Sequence, residues 1–197
     1  MEKFYFDKTS ELKREFQNLQ KKLSVVMNLK GGELTIEGEA INEFSASQVL
    51  NAMAFGFSAK KSLLLLDPDM SYRRLNIKNF TRRKDLEDVR SRIIGHEGKT
   101  KHTLENVSSC FIELKGNEVA IIGPTESIDS TVLAMKNIIK GSKQANVYNY
   151  LERMNVVRRK LINETPDLGL KESGKKENII KESDYESEEE YQKDEEE

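Results

Sequence analysis

The chain has 197 residues, of which 37% are apolar, with a formal net charge of -2 and one cysteine, Cys110. This is enough for one substantial core or two small ones, and the unpaired cysteine excludes an internal disulfide framework. No stretch reaches the roughly 18 apolar residues of a membrane span, and "MEKFYFDKTSELK" has acids where a signal peptide needs an apolar run, so a soluble cytoplasmic protein is expected, or a nuclear or nucleolar one if the source is a eukaryote.

In chain order, "EKFYF" reads as a strand and "SELKREFQNLQKKL" as a helix. "LSVVMNL" and "KGGELTIEG" follow as a hairpin, "INEFSASQVLNAMAFGF" as a helix, and "SAKKSLLLL" as a short helix after a glycine stop. "RRLNIKNF" then looks like a strand and "RRKDLEDVRSRII" like a helix with Leu86, Val89 and Ile93 on one face. After "GHEG", "KTKHTLENVSS" is a second helix with Leu104 and Val107 inward. A second hairpin turns at Gly116-Asn117 and sets Phe111, Ile112 and Leu114 against Val119, Ala120 and Ile121. Ile128, Val132, Met135 and Ile139 line the next helix, and "GSKQANVYNYLERM" with "VVRRKLI" forms a last one, its Arg158, Arg159 and Lys160 turned to solvent.

"KGGELTIEG" at 30–38 and "KGNEVAIIG" at 115–123 share five of nine residues, and each is preceded by an apolar strand and followed by a helix. The expected architecture is therefore α+β, with two tandem modules at 1–66 and 72–143, a helical extension at 144–163 and an acidic tail at 164–197. Residues 1–163 carry 27 Lys+Arg against 20 Asp+Glu, and the tail 5 against 14. A basic body attracts polyanions, while the tail has too little apolar surface to order itself and is expected to be disordered. It is read as a solvating appendage or as a competitor for the basic face.

"RIIGHEGKTKH" at 92–102 is the stretch that bears on chemistry. Two glycines flanking two variable residues can let a phosphate backbone approach closely, with helix-start amides beyond them, but taken alone they fit a tight turn equally. Lys99 and Lys101 stand in a first helical turn, where their charge opposes the helix dipole. Residues 73–101 carry ten Lys/Arg against four acids. The order strand, helix, Gly-x-x-Gly, helix, strand, strand, helix is that of a type I KH module, which clamps about four single-stranded nucleotides. On this reading Gly95 and Gly98 admit the backbone, Arg92, Lys99 and Lys101 neutralise phosphates, and Ile93, Ile94 and Ile112 form the apolar floor.

The combination of "IIGHEGKT", "VAIIG" and "VYNYLE", with "AFGFSAKKSLLLLDPD" upstream, resembles the archaeal and eukaryotic tandem-KH factors of small ribosomal subunit assembly over roughly residues 45–155. The family includes the KH partner of the PIN-domain endonuclease that trims the small-subunit rRNA 3′ end. The resemblance implies that Gly95, His96, Glu97, Gly98 and Lys99, with Thr100 completing the motif, hold the backbone of small-subunit rRNA or pre-rRNA, and that a PIN-domain nuclease or other assembly factor is a partner of a monomeric, non-catalytic protein. The first module departs from the pattern. Asp7-Lys8-Thr9-Ser10 stands where a loop belongs and has no glycine, so weak RNA binding or a packing and docking role is expected there.

His96 and His102 have no cysteine or acid pair at ligand spacing, so no metal and no cofactor are expected. "GHEGKT" is two residues short of a phosphate-binding P-loop and follows a helix instead of a strand. The aromatic run Phe4-Tyr5-Phe6 could stack bases, but core packing explains strand alternation better. The competing reading from another class is a protein-interaction scaffold that uses KH folds with little RNA binding of its own.

Overall fold

Alternating apolar residues in short strands and apolar stripes on helices assemble into two three-stranded sheets, each backed by helices, in the computed structural model, which describes residues 2–7 and 9–164. The first half runs β1 (Glu2–Tyr5), α1 (Ser10–Leu23), β2 (Val26–Lys30), β3 (Glu33–Glu37) and α2 (Ala40–Phe55). A short helix, α3 (Ala59–Ser62), and a 3-10 turn at Leu63–Leu66 connect it to the second half. There follow β4 (Met70–Asn76), α4 (Glu87–Ile94), α5 (Lys99–Ser108), β5 (Phe111–Lys115), β6 (Glu118–Pro124), α6 (Thr125–Lys140) and α7 (Gln144–Glu164). Both sheets are antiparallel with the later hairpin strand in the middle, in the orders β1-β3-β2 and β4-β6-β5. The tail beyond Glu164 lies outside the described residues.

Side-chain periodicity accounts for most of this. Leu12, Leu19 and Leu23 form the buried stripe of α1, and Ile128, Met135 and Ile139 that of α6, with Val132 partly buried beside them. In β1, Phe4 and the following Phe6 turn inward while Tyr5 is exposed, the alternation of a strand with one wet face. Cys110 is buried, which pushes its thiol pKa up and keeps it protonated.

Three local expectations need correction. The helix before the glycine loop starts at Glu87, five residues later than Arg82. Thr81 Oγ1 accepts a bond from the Arg83 amide at 3.2 Å and Asp85 Oδ1 one from the Glu87 amide at 2.8 Å, and such local turns compete with helix. The strand before it ends at Asn76, whose Oδ1 accepts from the Lys78 amide and opens a 3-10 turn. In the second hairpin Ile112 faces Ile121 and Leu114 faces Val119 as expected, but Phe111 lies opposite Ile122 and Ala120 opposite Glu113.

The two sheets are not independent. On β6, Val119 and Ile121 join the core of their own helices, with Ile77, Val89, Ile93 and Ile112. Ala120 and Ile122, on the opposite face, belong to the other core, with Phe55, Phe57 and Leu65. Around that contact Tyr72 meets Phe57 edge-on at 6.4 Å between ring centres, and Arg74 lies 5.3 Å over the Phe55 ring while pairing with Glu118. Lys115 reaches across to the Ala54 carbonyl at 3.0 Å and to Asp7 at 2.6 Å, and Lys61 sits 5.0 Å over Phe111. Asp7 belongs to the segment where the first half lacks a glycine loop, so that place carries a contact with the second half.

Because Ile122 is buried between the halves, Ile122→Ala should cost about 2–4 kcal/mol. Urea unfolding of the full chain should show a single transition moved to lower denaturant. Two separated transitions would mean that the halves unfold independently.

Candidate nucleic-acid interface

Helix α4 presents Val89 and Ile93 to the core, and its end is fixed by Gly95, whose amide donates to the Ser91 carbonyl at 2.7 Å. Gly95 has φ +76°, and a methyl group there would stand 2.1 Å from Thr100 Oγ1 and 2.7 Å from the Thr100 amide nitrogen. Glycine is needed for both reasons, since the left-handed backbone disfavours a Cβ and the first turn of α5 occupies its space. Gly98 differs: it has φ +81° but nothing within 4 Å of an added Cβ. Between them His96 and Glu97 project outward with side chains 85% and 73% exposed, their Nε2 and Oε1 3.8 Å apart. Glu97 itself is left-handed, with φ +52°.

Helix α5 begins at Lys99, directly after Gly98, with no side-chain cap and no acid in its first turn. The first amides of a helix have no acceptor within it, so this end offers donors and partial positive charge to an anion. Lys99 is exposed beside them. Glu97 is the one acid of the loop, and its solvent-facing carboxylate is screened by water.

The remaining expected residues divide into surface and support. Ile94 is 40% exposed at the end of α4 and is the apolar side chain available next to the loop. Ile93 and Ile112 are completely buried, so the floor expected of all three isoleucines reaches the surface only at Ile94. The cause is periodicity: Ile93 follows Val89 by four residues on the inner stripe of α4, and Ile112 is an inward position of β5. Thr100 is also buried and acts as the wedge under Gly95 instead of facing outward.

Two of the three cations expected to meet phosphates already have partners. Lys101 Nζ is 3.1 Å from Glu113 Oε2, with Lys61 3.7 Å from the other oxygen of the same carboxylate. Arg92 donates from Nη2 to the Ser142 carbonyl at 2.7 Å. Lys99 is the one left uncommitted.

Sequence reasoning missed Gln144. Its Nε2 donates to Thr100 Oγ1 at 2.9 Å and to the Arg92 carbonyl at 3.3 Å, so the first residue of α7 ties together both helices that flank the loop. No local pattern marks a contact 44 residues distant. Among the described residues no group of three or more His, Cys, Asp or Glu could hold a metal ion, and no helix is long and apolar enough to cross a membrane.

Residues 72–156 match the eukaryotic-type KH-domain family (KH-domain type I), a span from β4 into α7 that contains the whole loop. The KH domain-containing protein MJ0443 of Methanocaldococcus jannaschii is 25% identical over 144 residues, which cover 70% of this chain and 63% of that protein. The pre-rRNA-processing protein PNO1 of Chaetomium thermophilum is 30% identical over 149 residues, covering 66% of this chain and 54% of that protein. The chain thus spans less than two thirds of the length of either relative. A chain in the crystal structure of the a/eIF2alpha-aDim2p-rRNA complex from Pyrococcus horikoshii OT3 superposes with a TM-score of 0.71 at 25% identity, covering 79% of this chain and 94% of that one.

The two glycines should respond differently to the same change. Gly98→Ala meets only left-handed strain and should cost about 1 kcal/mol, whereas Gly95→Ala adds the collision with Thr100 and should cost about 3 kcal/mol. Chemical denaturation of the two variants measures the difference, and equal costs would contradict the role of Thr100 as a wedge.

Proposed function

We propose, taking residues 72–156 as a type I KH domain of the eukaryotic kind, that this chain grips single-stranded small-subunit rRNA or its precursor near the 3′ end during ribosome biogenesis. The observation that carries the proposal is the pairing of the Gly95–Gly98 loop with the uncapped start of α5 and the uncommitted Lys99. Phosphate oxygens would accept bonds from the first amides of α5, and the glycine at position 98 leaves the approach open. Lys99 would supply charge, and Ile94 an apolar contact for a base. The naming of PNO1 as a pre-rRNA-processing protein and the presence of rRNA in the archaeal complex support the same reading.

The role is one of holding and not of cleaving. Nothing in the loop supplies a nucleophile with a base beside it, and its chemistry is that of neutral amides and a cation. The cut would come from a partner nuclease of the PIN type, to which the held strand is presented. Residues 1–66 then serve as the packed support of residues 72–143, with Asp7 and Lys115 at their junction.

Carboxylates placed in the loop should oppose phosphate without disturbing the fold. Gly98→Asp, or His96 and Glu97 both replaced by Asp, should weaken binding of single-stranded RNA from the small-subunit 3′ end about tenfold or more, with thermal unfolding little changed for the double replacement. Wild-type affinity should also fall steeply with salt, because bound phosphates release their counterions. Undiminished affinity in folded variants, with weak salt dependence, would favour a protein-docking module instead.

A further inference from the structure

Behind the loop, the turn between α6 and α7 gathers cations that come from separate parts of the chain. A Cβ built on Gly141 would stand 3.4 Å from Arg92 Nη1 and 3.6 Å from Arg83 Nη2. The two guanidinium nitrogens therefore lie no more than about 7 Å apart, with an open gap where the glycine has no side chain. Lys140 and Lys143 bracket this turn, and both are exposed. Arg83 precedes α4, Arg92 lies in its last turn, Lys140 ends α6 and Lys143 immediately precedes α7.

Like charges brought together at a protein surface are ordinarily relieved by a carboxylate. Here none serves: among the described residues neither arginine has an ion pair. Arg92 uses one nitrogen on the Ser142 carbonyl in the turn after α6, which accounts for its position. That explanation does not extend to Arg83, whose side chain makes no hydrogen bond among the described residues, nor to Lys143 at the start of α7, where a cation opposes the helix dipole. The cluster is also joined to the loop. Gln144 bonds the Arg92 carbonyl and Thr100 Oγ1, and Thr100 is the residue under Gly95.

Resting on the RNA-gripping reading above, we propose that Arg83, Arg92, Lys140 and Lys143 form a second phosphate subsite, which takes the RNA backbone where it leaves the glycine loop and extends the footprint beyond four nucleotides. Guanidinium groups suit this task because each presents a planar set of donors to phosphate oxygens. The amides at the start of α7 add to it in the way that those of α5 serve the loop. The subsite reads no base. It sets the path of the strand and lengthens the stretch held against the protein.

The test uses the full chain and two single-stranded RNAs from the small-subunit 3′ end: the tightest-binding tetranucleotide, and the same four extended by about three nucleotides on each side. Arg83→Ala combined with Lys143→Ala removes charge from side chains that make no hydrogen bond or ion pair among the described residues, so thermal unfolding should be unchanged. Affinity for the long RNA should drop about tenfold and its log–log salt slope should become shallower by about 1.4, while the tetranucleotide binds as before. Arg83→Lys should restore most of the loss. Equal affinity of variant and wild type for the long RNA, or equal loss on both RNAs, would overturn the subsite. Gly98→Asp separates the two readings: it should weaken both RNAs, and if it weakens neither while the double variant still loses the long one, the loop reading fails while the cation cluster stands as a phosphate site in its own right.

Discussion

Strand β6 has no free face. Val119 and Ile121 pack into the core built by α4, α5 and α6, while Ala120 and Ile122 pack into the core of the first half. A strand buried on both sides ties the two halves together, because separating them would bring Ala120, Ile122, Tyr72 and Phe57 into water. It also fixes β4 and β5 on either side of it, and through them the helices that end and begin at the glycine loop. The loop is small and mostly solvated, so its shape depends on what stands behind it.

That dependence passes through a few side chains. Ile93 and Ile112 are fully buried and seat α4 and β5 on the sheet. Thr100 fills the space next to Gly95, and Gln144 closes the arrangement by bonding both Thr100 and the Arg92 carbonyl. A site whose exposed part is Gly95 to Lys99 therefore rests on residues as distant in sequence as 112 and 144. On the proposed reading, a short loop is useful because the first amides of α5 are held in place before any ligand arrives, so the ordering cost is met by folding. The pair Lys101–Glu113, joined by Lys61 from the first half, adds to the same support.

Much of this was legible in the sequence, and the internal repeat shows why. "KGGELTIEG" and "KGNEVAIIG" agree at the turn and at the inward positions, where Leu34 and Ile36 correspond to Val119 and Ile121. They differ at the outward ones, where Thr35 and Glu37 correspond to Ala120 and Ile122. Polar residues there mark a sheet with one wet face, and apolar residues mark a sheet covered on both. The pattern thus states that one sheet is sandwiched, but not what covers it. The site was legible in the same partial way. Glycine spacing and charge located the loop, but exposure of individual side chains depends on three-dimensional packing, which assigned Ile93, Ile112 and Thr100 to the interior. The salt bridge that occupies Lys101 and the turns that delay α4 to Glu87 are equally matters of side-chain geometry.

The two copies of the repeat have diverged in a way that one constraint explains. In the second, β4 and β5 are joined through α4, the glycine loop and α5, whereas in the first α1 alone runs from β1 to β2. The segment leading into α1 is committed elsewhere: Asp7 pairs with Lys115 of the second hairpin, and Glu11 Oε1 accepts the amide of Ala59 at the start of α3. Lys115 holds down the pK of the Asp7 carboxyl through a hydrogen bond, so this is a charged contact at ordinary pH. A loop shaped to leave amides open to a phosphate requires a segment free of such neighbours. The first copy has its corresponding segment at the junction that secures β6, whereas the second carries the Gly95–Gly98 loop at that place, with Arg83 and Arg92 near the turn at Gly141. On the proposed RNA-gripping reading, anchoring and anion capture make opposite demands on the end of a helix, and the two copies of the repeat divide these roles between them.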